Sequence, residues 1–216
     1  MDKIRGNYQG HGYKKEVFLR VPKKSKVLEV GCNFGELGKA LISKKDCIVY
    51  GIDFYKPSVK IAKKNLTLAK EFDLEKYTLP FKEKFDLIIF EDVLEHIRYP
   101  ETILKLFKKM LNPNGKIIVS VPNIANIKVR FNLLFGNWDY KESGILDNSH
   151  FRFFTKKTSK SLLENAGYSA NITDFTPGFS FIFFRFYPLL KKIRKILCSI
   201  NISLFAEQFI LEGRAK

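Results

Sequence analysis

The chain is poor in cysteine, in long apolar runs and in acidic residues, and each shortage closes off a class of protein. Cys32, Cys47 and Cys198 are its three cysteines. An odd count without metal-ligand spacing implies reduced thiols, so neither a disulfide framework nor a zinc site is expected. No apolar run approaches the roughly 20 residues that span a bilayer. Residues 1–15 mix charges, glycines and tyrosines where a secretory leader would carry an apolar stretch. A soluble, cytoplasmic protein is expected, without internal repeats or a low-complexity linker.

What is present suits one globular domain: 216 residues, 45% apolar and 14% aromatic. The expected organisation is an N-terminal arm (1–25), a core (26–123), a lid or insertion (124–154) and a C-terminal part (155–216). That last part completes a sheet and carries a basic helical segment. Against 22 Asp and Glu stand 38 Lys and Arg, a net charge of +16. Such an excess can draw nucleic acid, anionic membrane or phosphorylated ligands. However, Lys44-Lys45, Lys63-Lys64 and Lys108-Lys109 fall on helix-like segments, where solvated faces account for them. No stable nucleic-acid partner is expected.

Hydrophobic patterning sets the fold class. Residues 26–30 read as a buried strand, followed by Gly31-Cys32-Asn33-Phe34-Gly35 and an apolar-periodic helix through Ile42. A second β-rich run over 47–52 ends in Asp53, and Pro57 opens a helix expected to reach about Ala69. A short third strand is placed at 77–79. Residues 85–90 are apolar throughout, as in a strand covered on both faces. Residues 100–110 repeat at helical spacing, Asn112-Pro113-Asn114-Gly115 ends that helix, and 116–121 is β-rich again. Strands alternating with helices predict an α/β fold with a doubly wound, mainly parallel sheet and helices on both faces. Residues 126–154 are aromatic-rich without clean periodicity. A helix over 155–166 follows, capped by Thr155 or Thr158 and stopped by Gly167. Late strands near 169–175 and 204–211 flank a basic, apolar stretch at 179–197.

In an open parallel sheet the ligand sits beyond the carboxyl ends of the strands. Gly31 and Gly35 mark that edge, where glycine allows close backbone approach and helix-start amides receive an anion such as an amino-acid carboxylate. Asp53 follows about twenty residues on, where a carboxylate accepts hydrogen bonds from ribose hydroxyls. A nucleoside is implied. Asn33 stands where the dinucleotide fingerprint needs a second glycine, which makes NAD the weaker choice.

Val27-Leu28-Glu29-Val30-Gly31-Cys32-Asn33-Phe34-Gly35 resembles the first motif of class I S-adenosylmethionine-dependent methyltransferases, acidic-x-G-x-x-x-G. Gly51-Ile52-Asp53 is similar to the family's ribose-binding acid. The run from Phe85 to Glu91-Asp92-Val93-Leu94-Glu95-His96 resembles its fourth-strand motif. Leu111-Asn112-Pro113-Asn114-Gly115 resembles its turn before the fifth strand. Asn33 and Asn114 replace glycines usual in the family, and asparagine tolerates the left-handed backbone both positions would need.

The resemblance covers residues 27–123 well and implies a Rossmann-like sheet of about seven strands with S-adenosylmethionine as cofactor and S-adenosylhomocysteine as product. Carried over residue by residue, it places Glu29, Gly31, Cys32, Asn33, Gly35, Asp53 and Phe54 around the cofactor. Asp73 then meets the adenine amino group with Leu74 beside it, and Glu91 and Asp92, at the fourth strand, complete the implied cofactor-binding set. A more loosely covered element, His150-Phe151-Arg152-Phe153-Phe154-Thr155, together with Glu95-His96, looks like bacterial O-methyltransferases of small metabolites or surface-polysaccharide precursors. Glu91-Asp92-Val93-Leu94 is unlike the Asn/Asp-Pro-Pro-aromatic element of nucleic-acid amine methyltransferases.

An oxygen nucleophile needs a base, and His96 is the first candidate and His150 the second. Tyr13 and His11 of the arm are placed to close over the cofactor. Arg152 and Arg130 are candidates to pair with a substrate carboxylate or phosphate. The expected partner is a small molecule, sugar-like or phosphorylated. Two other readings use the basic segment: RNA or partner binding through Lys191, Lys192, Arg194 and Lys195, or weak peripheral membrane association through 179–197.

Overall fold

The computed structural model describes residues 12–177 and 196–216. Its strands are β1 (Lys26–Val30), β2 (Ile48–Asp53), β3 (Leu68–Glu71), β4 (Phe85–Glu91), β5 (Leu111–Pro122), β6 (Tyr168–Pro177) and β7 (Ala206–Ala215). They form one sheet in the order β3-β2-β1-β4-β5-β7-β6. The first five are parallel, and β7 is antiparallel to both of its neighbours. This is the doubly wound, mainly parallel sheet that the alternating pattern predicts.

Alternation along each strand divides the core into two layers. Leu28, Ile88, Phe90, Ile117 and Val119 face one side, where Ile103, Leu104 and Phe107 of α4 (Pro100–Lys108) and Leu163 of α6 (Lys156–Asn165) cover them. Val27, Val49, Leu87, Ile89 and Ile118 face the other, under Leu37 and Leu41 of α2 (Glu36–Lys45), Val59 of α3 (Lys56–Ala62) and Val17 of α1 (Lys15–Arg20). The Tyr168 hydroxyl, fully buried, donates to the Leu104 carbonyl at 2.9 Å and ties β6 to α4. Helix α6 starts as its sequence requires: Thr155 and Thr158 form a reciprocal capping box, and Gly167 (φ +86°) follows its end.

Two elements depart from expectation. Helix α3 stops at Ala62 and β3 begins at Leu68, before the expected end of that helix, while residues 77–79 form no strand. The cause is long-range pairing. The Thr67 N–H donates to the Val49 carbonyl at 3.0 Å and the Thr67 hydroxyl accepts from the Val49 N–H at 3.1 Å. This pulls the chain into an edge strand, and Leu68 remains 43% exposed. The Asn112 to Gly115 turn lies inside β5 as an irregularity, since Phe85 pairs with Leu111 and Leu87 with Lys116. The aromatic-rich insertion contains one helix, α5 (Ile127–Leu134). Most of the basic stretch at 179–197, including Lys191, Lys192, Arg194 and Lys195, lies outside the described residues, as does His11.

Candidate active site

The carboxyl ends of β1, β2 and β4 lie side by side, and their last residues build the site. After β1 the chain reverses through Gly31 (φ +72°), Asn33 (φ +46°) and Gly35 (φ +77°), so the asparagine does adopt the left-handed conformation expected of it. The same holds for Asn114 (φ +66°). The loop is pinned to β2: the amides of Gly31 and Cys32 donate to the Ile52 carbonyl at 2.8 and 3.0 Å. Asp53 Oδ2 accepts from the Asn33 N–H at 2.9 Å and Oδ1 from the Tyr55 N–H at 2.8 Å, so this carboxylate holds both turns at once. The Asn33 side-chain oxygen accepts from the Ser58 hydroxyl.

Glycine is required at Gly31, where an added Cβ would lie 2.5 Å from Val93 Cγ2. The loop backbone therefore packs against the turn after β4 while Gly31 itself stays exposed at the mouth. Behind it Glu29 is buried, with one carboxylate oxygen lacking a hydrogen-bond partner. Burial, and then the charge of Glu91, push its pKa well above the ordinary carboxylate value. Beside Asp53, a cavity of ≈ 380 Å³ is lined by Phe54, Phe72, Asp73, Lys70, Glu71 and Lys76. Phe54 is 48% exposed and offers an aromatic face, and Asp73 accepts from the Glu75 N–H at 3.0 Å. Loop, carboxylate and cavity together fit an adenosine with an amino-acid tail. Cys32 and Leu74 are placed differently: the Cys32 side chain packs in the core, where burial raises its thiol, and Leu74 packs against the larger core cluster.

At the end of β4, Glu91 and Asp92 (φ +53°) meet the arm. The Lys14 N–H donates to Glu91 Oε1 at 3.1 Å, and the Lys14 ammonium is ion-paired with Glu91 at 3.4 Å and with Asp92. Burial alone would lower the Lys14 pKa. The Asp92 and Glu91 charges outweigh it and hold Lys14 above the ordinary lysine value. Ser120 of β5 and Gln208 of β7 donate to Asp92 at 2.8 and 3.0 Å. Tyr13 is turned away, its ring on Phe18 and its hydroxyl at 3.5 Å from Lys44 Nζ. The arm does reach the site, through Lys14 and not through Tyr13.

One turn further on, the lid closes. The amides of Phe151 and Arg152 donate to the Glu95 carbonyl at 2.8 and 3.0 Å. This clamp brings the His96 and His150 rings to 4.7 Å, 54 positions apart in sequence. His96 Nδ1 donates to the Ser149 carbonyl at 3.3 Å and His150 Nδ1 to the Ile145 carbonyl at 3.2 Å, because a carbonyl can only accept. Each ring keeps an Nε2 lone pair. Burial lowers both pKa values, and for His150 the nearby His96 adds to it, so both rings are neutral at neutral pH. Arg152 Nε and Nη2 donate to the Arg98 carbonyl at 2.9 and 2.7 Å. Arg130 Nε likewise donates to the Ala125 carbonyl at 2.7 Å. Lys14, Ser120 and Gln208 carried no sequence signal, since each acquires its role from a strand or arm that only folding brings to β4.

The fold places the chain in a class: it is shared by solved S-adenosylmethionine-dependent methyltransferases. One from Thermotoga maritima, described as a possible histamine N-methyltransferase, aligns with a TM-score of 0.64 at 16% identity over 93% of this chain and 86% of that one. Magnesium protoporphyrin IX methyltransferase from Synechocystis, with bound S-adenosylhomocysteine, aligns with a TM-score of 0.59 at 17% identity over 93% and 78%. Residues 9–171 match the methyltransferase-domain family, and the chain belongs to it, with S-adenosylmethionine as cofactor. Ubiquinone biosynthesis O-methyltransferase from Histophilus somni (strain 2336) is 34% identical over 108 residues, 45% of either chain. The protein of that name from Coxiella burnetii (strain Dugway 5J108-111) is 30% identical over 131 residues, 54% of this chain and 56% of that one. The chain thus spans about half the length of the curated relatives it matches.

Proposed function

We propose that the protein transfers a methyl group to a hydroxyl of a small acceptor, and that the His96 and His150 cluster activates that hydroxyl. The observation that carries this reading is the pair of imidazoles, His96 from the turn after β4 and His150 from the lid, with ring centroids 4.7 Å apart. The bound cofactor supplies a methyl group on a cationic sulfur, which an oxygen lone pair can displace. The chain's own part is to seat the cofactor on the Gly31 loop and Asp53, to align the acceptor, and to take up the hydroxyl proton at an imidazole Nε2. Curated relatives named as O-methyltransferases support oxygen over nitrogen as the acceptor atom.

The lid supports a flat, largely apolar acceptor. Phe153 lies 6.2 Å from the His150 ring and Trp138 lies 5.7 Å from Phe153, both edge-on, while Phe131, Phe135 and Phe151 are more than half exposed nearby in sequence. A phosphorylated acceptor, such as a surface-polysaccharide precursor, would look to Arg152, whose Nε and Nη2 already donate to the Arg98 carbonyl. We therefore favour a hydroxylated aromatic molecule. The buried thiols of Cys32 and Cys47 suit a reducing compartment, in keeping with action in the cytoplasm on a small molecule without a stable nucleic-acid partner. Among the described residues no helix is long and apolar enough to cross a membrane.

The test has two stages. Calorimetry of the native chain with S-adenosylmethionine, S-adenosylhomocysteine and NAD is expected to show binding of the first two. Release of S-adenosylhomocysteine is then followed with hydroxylated aromatic acceptors, with amines and with free or phosphorylated sugars. Turnover confined to the aromatic set supports the reading. Turnover confined to amines or sugars overturns it.

A further inference from the structure

Glu95 poses a problem that methyl transfer does not solve. It is 1% exposed, and neither carboxylate oxygen has a hydrogen-bond partner among the described residues. A buried carboxylate normally finds donors or a counter-charge, because desolvation without them costs several kcal/mol. The nearest cation is Lys14, whose ammonium is spent on Glu91 and Asp92. Asp92 and Asp147 add further negative charge around Glu95. What faces it instead is a pair of histidines. One nitrogen from each of His96 and His150 and one Glu95 oxygen all lie within 4.8 Å of one another.

We propose that Glu95, His96 and His150 form a binding site for a divalent first-row transition ion of the zinc type. The second layer supports this. Histidines that ligate metals hand their other N–H to a carbonyl or carboxylate, which fixes the ring and aims the lone pair. Both rings do so here, through the Ser149 and Ile145 carbonyls. Ser149 is itself held by Asp147, which accepts from the Ser149 N–H at 2.8 Å and from its hydroxyl.

Two imidazoles and one carboxylate suit zinc, manganese or iron in preference to magnesium or calcium, which take oxygen ligands. Three protein ligands leave a coordination position open for water or an acceptor oxygen. The clamp of Phe151 and Arg152 on the Glu95 carbonyl assembles the set from two distant segments, so the ion would also lock the lid to β4. Ion binding does not depend on the identity of the methyl acceptor. An ion held there would acidify a coordinated acceptor hydroxyl and so replace the imidazole Nε2 atoms, then its ligands, as the means of activating that hydroxyl.

The experiment uses the full chain stripped by chelator dialysis and titrated with Co2+, whose visible d–d absorption reports nitrogen and oxygen coordination, followed by Zn2+ competition. One equivalent is expected, displaced by Zn2+ and not by a large excess of Mg2+. The isosteric Glu95→Gln and the lid variant His150→Ala are expected to weaken it by more than about 100-fold with unchanged circular dichroism. His11→Ala, which removes the chain's remaining histidine, is expected to leave it intact. Substoichiometric uptake, displacement by Mg2+, or full binding in both Glu95→Gln and His150→Ala would overturn the assignment. S-adenosylhomocysteine binding, read by calorimetry on the same samples, separates this outcome from a failure of the methyl-transfer reading.

Discussion

The Lys14 backbone N–H donates to Glu91 Oε1 at 3.1 Å, joining positions 77 residues apart and fastening the N-terminal arm to the end of β4. The Lys14 side chain is 17% exposed, so the ammonium that also pairs with Glu91 and Asp92 is largely withdrawn from water. Lys14→Ala removes the counter-charge from two partly buried carboxylates. It is expected to lower unfolding free energy by about 1.5–3 kcal/mol, read as a shift of the urea midpoint. The sign with pH is definite. Lys14 is raised in the folded state, so its contribution is complete below the ordinary lysine value and fades as pH rises through the higher folded value. Native and Lys14→Ala proteins are expected to converge in strongly alkaline solution. A constant difference across the alkaline range would rule out the ion pair as its source.

Asp53 holds two backbone turns and adjoins Phe54, which lines the cavity at the end of β2. Asp53→Ala is expected to weaken S-adenosylhomocysteine binding by about 10–100-fold, the worth of a hydrogen bond to a charged group. Calorimetry measures it. Undiminished affinity would remove Asp53 from the cofactor site.

Neutral imidazoles give the reaction a characteristic acid limb. Burial lowers His96 and His150 below the ordinary histidine value, so activity is expected to persist as pH falls through about 6.5 and to decline only below it. Stability follows the same sign. As pH falls below the unfolded value the unfolded chain binds protons first, and these two residues then cost native stability, which is complete above that value. An acid limb at or above about pH 6.5 in the kcat/KM profile would contradict the buried, neutral pair.

Gly38 lies in α2 with no room for a side chain: an added Cβ would come within 2.1 Å of Leu66 Cδ2 and 2.8 Å of Glu29 Oε2. Gly38→Ala is expected to destabilise by about 1–3 kcal/mol in thermal unfolding, although alanine is the better helix former. Leu66→Ala in the same background is expected to recover part of the loss, a coupling that independent sites would not show.

Much of the site was legible because it is local. The β1 run, the glycine turn, Asp53 at the end of β2 and the apolar β4 run all lie within short windows whose periodicity and turn residues report directly on backbone conformation. Left-handed geometry at Asn33 and Asn114 follows from residue type and turn position, because few other side chains accept it. The helix expected to reach Ala69 failed for the opposite reason. Residues 63–69 carry no helix-breaking residue, and what turns 68–71 into a strand is the pairing of Thr67 with Val49.

His96 and His150 could be named from sequence, but only singly, since nothing local says that two histidines 54 positions apart share one pocket. The Glu95 carbonyl decides that by accepting two lid amides. Lys14 in place of Tyr13, and the contact of Arg152 with the Arg98 carbonyl, were likewise settled by packing. The sequence by itself determined the sheet, its cofactor edge and the residue types placed there, because these follow from short-range backbone preference and hydrophobic period. Tertiary structure alone decided which charges meet at the end of β4, because a buried carboxylate takes its partner from whatever part of the chain the fold brings within reach.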